Sequence, residues 1–214
     1  MPVRGRAVLE GIRFAKDVAS APSAVVALWK TATGGKAVGC LPATPVPELL
    51  HAAVLLPIAL ESPEDLSLLT GRIDAWLIGP EPSSFTVPPE GIPRFAFPRL
   101  APGSVEEALD RVEALAEWAC VVSDFPVSEG GLWKSLRAYA TRRSLIEALE
   151  GRCVREPAFL TPDERRDLVR AGIFLPPEAH SRLLASVLDI DYQPVIESEG
   201  ERGDPLIVLA KRLL

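Results

Sequence analysis

The 214-residue chain has few sulfur-containing and imidazole side chains, with three cysteines, one methionine and two histidines. The cysteines are Cys40, Cys120 and Cys153; they are odd in number, lie far apart and include no CxxC pair. This pattern argues against a disulfide framework and favours a reducing compartment. We therefore expect a cytoplasmic protein.

Long apolar runs and clusters of basic residues are also missing. The longest apolar run, Ala52 to Leu60, is about half as long as a helix that spans a bilayer. No apolar core of the signal-peptide type follows the charged N-terminus. The 29 acidic residues outnumber the 23 Lys and Arg residues, and both signs are mixed along the chain, whereas a surface that follows phosphates needs clustered positive charge. We expect neither a membrane nor a nucleic acid as a partner.

The first half of the chain alternates between short apolar segments and segments with helical spacing. A helix is predicted from Pro45 to Leu56, with Glu48 in its first turn. Four strands are predicted, at Lys36–Cys40, Pro57–Glu61, Ile73–Ile78 and Arg94–Phe97. This alternation predicts an α/β fold with a parallel sheet of Rossmann-like architecture.

From residue 104 onwards the pattern is helical. Ser104 and Thr161 each begin a capping box, and long helices are predicted at Ser128–Leu149 and Pro177–Leu188. A strand is possible at Pro194–Ile196, before a last helix that begins at Asp204-Pro205. We predict an α/β domain (1–103), a helical lobe (104–188) and a short connector with a C-terminal helix (189–214).

Familiar catalytic motifs are not complete in this chain. Gly34-Gly35-Lys36 is not a phosphate-binding loop, because Ala37 stands where that motif has Ser or Thr. Ser83-Ser84 lacks the flanking glycines of a nucleophile elbow. Glu48 and His51 would offer one half of a carboxylate-bridged metal site, which needs two such halves. Arg142-Arg143 is expected on a solvated helix face, with contact to a CoA phosphate as the alternative.

The segment from Gly35 to Leu60 has a distinctive order of features. A Val-Gly strand leads through Gly39-Cys-Leu-Pro42 into Pro-Val-Pro-Glu48, and an amphipathic helix containing Ala52-Ala53 and a strand led by Pro57 follow. This order resembles the opening motif of the family that contains the 2-hydroxyacyl-CoA dehydratases and the benzoyl-CoA reductases. Val127 to Leu149 resembles the helix after that family's first domain. Gly203-Asp-Pro-Leu to Leu213 resembles a segment near the end of its full-length members.

The resemblance also defines what this chain lacks. Full-length relatives have a second α/β domain, whose place is taken here by residues 189–203. They hold a [4Fe–4S] cluster with cysteines from three segments: the loop before Pro-x-Glu, the end of the strand matching Ile73–Ile78, and the second domain. In this chain the first position falls on Pro42, two residues after Cys40, and Gly79 to Phe85 contains no cysteine. Cys40 is therefore the only candidate ligand, and one thiolate is too few.

The resemblance thus implies a shortened, non-catalytic or auxiliary subunit without a cofactor of its own. Its expected partners are a homologous subunit or a second copy, and acyl-CoA. Two alternatives stay open: a redox component whose [4Fe–4S] cluster is completed at a subunit interface through Cys40, or a module that binds a small ligand such as acyl-CoA. Catalytic residues are not assigned, and the expected substrate-binding residues are Cys40, Thr44, Glu48 and His51.

Overall fold

The computed structural model describes residues 5–41, 46–60, 62–79, 91–97, 104–193 and 203–213. Four strands lie in this part of the chain: β1 (Lys36–Leu41), β2 (Leu55–Ala59), β3 (Ala75–Ile78) and β4 (Arg94–Ala96). The helices described there are α1 (Arg6–Ser20), α2 (Pro22–Thr33), α3 (Pro47–Ala52), α4 (Pro63–Leu68), α5 (Val105–Ser123), α6 (Glu129–Arg155), α7 (Pro162–Phe174), α8 (Pro177–Leu188) and α9 (Pro205–Arg212). None of them is long and apolar enough to cross a membrane.

The strands form one parallel sheet in the order β2-β1-β3-β4. This confirms the predicted α/β class with a Rossmann-like sheet and a helical lobe. The central strand β1 pairs with β2 on one side, where Val38 lies opposite Pro57, and with β3 on the other, where Val38 lies opposite Ala75. Every residue of β1 after Lys36 is buried, as is usual for a parallel strand that is covered on both faces.

The chain divides into two compact units, and each is discontinuous in sequence. The helical unit consists of residues 1–25 and 136–196, and the sheet unit of residues 26–135 and 197–214. In the helical unit α1 packs on α7 and α8, while in the sheet unit α9 packs on α5. These boundaries differ from the predicted continuous domains. The order of the elements along the chain does not show that the first helix, α1, packs on α7 and α8, or that the last helix, α9, packs on α5.

Several helices begin at a residue whose side chain caps the first turn. Ser62 and Thr161 each accept a hydrogen bond from the backbone N–H three residues later, and the acidic residue at that position bonds back to the cap. The Ser104 side chain accepts from Glu107 N at 3.2 Å. α8 occupies the predicted range, and α6 extends to Arg155, six residues beyond the predicted end at Leu149. The possible strand at 194–196 lies outside the described residues.

The predicted helix from Pro45 to Leu56 is too long at its C-terminal end. α3 ends at Ala52, and Val54 has a left-handed backbone with φ of 58°. Leu55 and Leu56 then belong to β2, because their backbones pair with Lys36 and Ala37 in β1. The periodicity of a short apolar run is compatible with a helix or with a buried strand. The pairing with β1 determines that Leu55 and Leu56 are strand residues.

Two arginines of α6 organise the helical unit by bonding to the C-terminal ends of other helices. Arg142 Nη1 donates to the carbonyl of Gly172 in α7 at 3.1 Å, and Arg152 Nη1 donates to the carbonyl of Leu188 in α8 at 3.1 Å. The last carbonyls of a helix lack partners within the helix and attract cations. The expectation that Arg142 lies on a solvated helix face is therefore wrong, because its guanidinium turns inward to α7.

Candidate functional site

The topology of the sheet marks one edge as the natural ligand site. The chain runs from β1 to its neighbour β2 and then crosses to β3 on the opposite side of β1. In open α/β sheets, ligands bind outside the carboxyl ends of the strands where the winding reverses, which here lies between β1 and β3. The predicted site residues belong to β1 or to the segment that follows it. Thr44, like Pro42, lies outside the described residues.

Gly39 explains why a Val-Gly strand is suited to this position. Gly39 in β1 lies opposite Trp76 in β3, and a Cβ atom at position 39 would collide with the ring carbons of the Trp76 indole. The absence of a side chain lets the large Trp76 side chain lie over the neighbouring strand, where it is almost completely buried. Glycine in a strand interior commonly marks such a close approach.

Cys40 lies inside the sheet rather than in a loop. Its backbone pairs with Ala59 in β2 and Leu77 in β3, and its side chain is fully buried. The sulfur lies 3.6 Å from the carbonyl oxygen of Val38. A thiol in this setting behaves as a small apolar core residue, and a ligand could reach it only if the packing around β1 opened.

Glu48 is a buried carboxylate in the first turn of α3 and has a charged partner from the C-terminal helix. Arg212 Nη1 donates to Glu48 Oε1 at 2.9 Å. The Arg212 side chain is 39% exposed, whereas that of Glu48 is 3% exposed. A carboxylate that is removed from water needs such a partner to remain charged. Glu48 therefore attaches α9 to the start of α3.

His51 makes a different contact from Glu48. Its Nδ1 atom lies 3.0 Å from the Ser135 hydroxyl, and that hydroxyl donates to the backbone carbonyl of Glu48 at 2.6 Å. A hydroxyl has one proton, so Nδ1 of His51 acts as the donor to Ser135. Ser135 therefore links the His51 side chain to the backbone of Glu48, whereas the Glu48 side chain binds Arg212.

The remaining two cysteines lie in different helices and in different units of the chain, Cys120 in α5 of the sheet unit and Cys153 in α6 of the helical unit. The Cys120 sulfur accepts a hydrogen bond from Val127 N at 3.3 Å. Burial raises the pKa of the Cys153 thiol, against the opposing effects of Arg165 and Arg152, and Glu150 adds to the rise. In the described part of the chain, no group of three or more His, Cys, Asp or Glu residues could hold a metal ion. With Cys40 enclosed in β1, the described residues do not fit a [4Fe–4S] cluster.

Two partners in this site, Ser135 and Arg212, carry no recognisable signal in the sequence. Ser135 lies in the second turn of α6, and Arg212 is one of two adjacent basic residues, Lys211 and Arg212, in the last turn of α9. Both act over separations of more than 80 residues. A co-varying pair in an alignment would be the kind of signal that could reveal them.

Comparison with known proteins gave no family assignment: no family model matches the chain, and the search of curated proteins found no match.

Proposed function

We propose that this chain is a shortened, auxiliary subunit of a 2-hydroxyacyl-CoA dehydratase or benzoyl-CoA reductase-like complex, and that it has no catalytic centre of its own. The supporting observation is the ion pair between Glu48 and Arg212. This ion pair joins two of the segments that resemble the family, Gly35 to Leu60 and Gly203 to Leu213, which lie farthest apart along the chain. A unit that keeps both segments in contact, without the second domain between them, can be a self-sufficient first domain.

The non-catalytic part of the proposal is supported by Cys40. A thiolate that binds an iron–sulfur cluster has to reach the iron, but the Cys40 side chain is fully buried in the central strand. If the chain instead contributed a cluster ligand at a subunit interface, β1 would have to release this side chain from the core. That alternative remains testable through Cys40 itself.

The proposed partner is a longer, homologous subunit, with a second copy of this chain as the alternative. Acyl-CoA would be bound at the edge of the sheet between β1 and β3, beyond Cys40 and near Glu48 and His51, with Thr44 as the further residue expected from the sequence to contact it. Glu48 and His51 are largely engaged by protein partners. Their expected role is to hold the start of α3 in place beside the ligand.

The subunit role is tested by purifying the tagged chain anaerobically with and without a co-encoded relative of the family. We expect a stoichiometric complex and a higher melting temperature for this chain in the complex, because binding to the folded state alone stabilises it. A monodisperse monomer whose melting temperature responds neither to the relative nor to acyl-CoA would contradict the proposal.

The cluster alternative is tested by iron and sulfide analysis after anaerobic reconstitution of the wild type and Cys40→Ala. Cys153→Ala is the control, since Cys153 lies in the helical unit. We expect no bound iron in any of the three proteins. About four irons per dimer that disappear only in Cys40→Ala would instead establish a cluster at an interface.

A further inference from the structure

The sheet unit contains a cavity that is separate from the residues of the predicted site. Its volume is about 480 Å³, which is within the range of small-molecule sites, roughly 300–1,000 Å³. The cavity lies where α6 and α9 begin, beside α5. Its apolar lining residues are Ala116, Val127, Leu132, Pro205 and Leu206.

The apolar part of this lining is suited to a hydrocarbon group. Leu132 is 1% exposed and Pro205 is buried, while Ala116, Val127 and Leu206 are half-buried. An apolar group that replaced water against these side chains would gain about 25 cal/mol for each Å² removed from water. The cavity can therefore bind the apolar body of a small molecule.

The polar side chains of the lining are Ser128, Glu129 and Asp204, and all three offer oxygen atoms that accept hydrogen bonds. Glu129 and Asp204 both line the cavity and are exposed. Ser128 also lines it, and its hydroxyl oxygen accepts from Gly131 N at 3.1 Å, while Asp204 Oδ1 accepts from Leu206 N at 2.8 Å. These first-turn amides of α6 and α9 are thus already bonded to the caps.

The charges on the described lining residues of the cavity favour a positive ligand. Its described lining residues include two carboxylates and no Lys, Arg or His. Each helix N-terminus contributes the equivalent of about half a positive charge, so two termini do not offset two full negative charges. An anion such as a CoA phosphate would be disfavoured, whereas an ammonium group could reach a carboxylate while its apolar body fills the cavity.

We propose that this cavity is a binding site for a small organic cation with an apolar body, such as a primary alkylamine. The site is independent of the proposed subunit role, since it uses none of the residues near the end of β1. It also has a structural consequence, because α9 forms one wall through Asp204, Pro205 and Leu206. A bound ligand would therefore favour the position in which α9 packs on α5.

The test compares n-hexylammonium with n-hexanoate, which share an apolar chain and differ in charge. Binding to the whole chain is measured by calorimetry at low ionic strength. We expect the ammonium probe to bind about two- to fivefold more tightly, because an ion pair with an exposed carboxylate is worth up to about 1 kcal/mol. Equal binding of the two probes, tighter binding of hexanoate, or no binding of either at millimolar concentration would overturn the proposal.

Variants then locate the bound probe. Asp204→Asn keeps an oxygen that can cap α9, and Glu129→Gln keeps the size of the side chain; the double variant should lose the preference for the ammonium probe. Ala116→Leu should weaken both probes by filling the cavity. Glu117→Gln is the matched control, because the exposed Glu117 lies next to Ala116 on α5 but does not line the cavity. Unchanged binding in the double variant and in Ala116→Leu would overturn the site.

Discussion

Glu48 and Arg212, separated by 164 positions in the sequence, form an ion pair in which the carboxylate is buried and the guanidinium reaches out to solvent. Glu48 lies in the first turn of α3, the short helix after β1, and Arg212 is the last residue of α9. The interaction therefore connects the C-terminus of the sheet unit to the edge of the sheet where a ligand is expected.

Arg212→Ala should destabilise the sheet unit because it leaves the Glu48 carboxylate without this partner. Loss of one member of a buried charged pair costs several kcal/mol, but the partial exposure of Arg212 reduces the effect. We expect a loss of about 1–3 kcal/mol in the free energy of unfolding, measured by urea denaturation. Lys211→Ala, at an exposed position of the same helix, is the control and should change stability by less than about 0.5 kcal/mol.

His180 should make the stability of the helical unit depend on pH. It is buried in α8, and its Nε2 atom donates to the carbonyl of Leu168 at 2.9 Å. Burial lowers the pKa of His180 to about 4; the Leu168 carbonyl opposes this shift and Arg142 adds to it. The folded-state pKa is thus below the unfolded value of about 6.5, so the stabilisation is complete above pH 6.5 and is lost as the pH falls towards 4.

We expect the free energy of unfolding to fall by about 2–3 kcal/mol between pH 7 and pH 4 through this residue. The measurement is urea denaturation of the wild type and His180→Gln across that range. The variant is expected to be less stable at pH 7 and to have a flatter pH profile. Parallel profiles for the two proteins would show that His180 does not cause the dependence.

Gly172 should not tolerate a side chain. A Cβ atom at this position of α7 would collide with the imidazole ring of His180. Gly172→Ala is therefore expected to destabilise the protein by about 1–3 kcal/mol, the usual cost of overpacking a core. In Gly130→Ala the new methyl group meets open space on α6, so that variant should be neutral or gain up to about 1 kcal/mol. Thermal unfolding of both variants distinguishes steric collision from helix propensity.

Arg152 should contribute more to stability than its neighbour in the same helix turn. Its guanidinium lies 3.9 Å from the centroid of the Phe159 ring and donates to the last carbonyl of α8. Arg152→Ala should cost about 1–2 kcal/mol through the loss of both contacts. Arg155→Ala, at an exposed position, should have a much smaller effect in the same denaturation series. Equal effects of the two substitutions would contradict the specific role of Arg152.

The structure gives the predicted site residues different surroundings. The sequence places Cys40, Thr44, Glu48 and His51 close together along the chain, and the sheet order puts the end of β1 at the edge where ligands bind. The burial of Cys40 and the partners of Glu48 and His51 could not be anticipated, because each depends on residues far away in sequence. The resemblance to a CoA-dependent family remains a prediction.

The sequence by itself determined the starts of several helices and the alternation of strands with helices. Ser62 and Thr161 cap their helices through hydrogen bonds to groups three residues away, so the necessary atoms are always within reach. Only the tertiary structure decided that Leu55 and Leu56 are strand residues, that Arg142 turns inward and that Arg212 joins Glu48. These outcomes depend on which elements, distant in sequence, pack against each other. A short apolar run or a single charged side chain is compatible with several such packing arrangements.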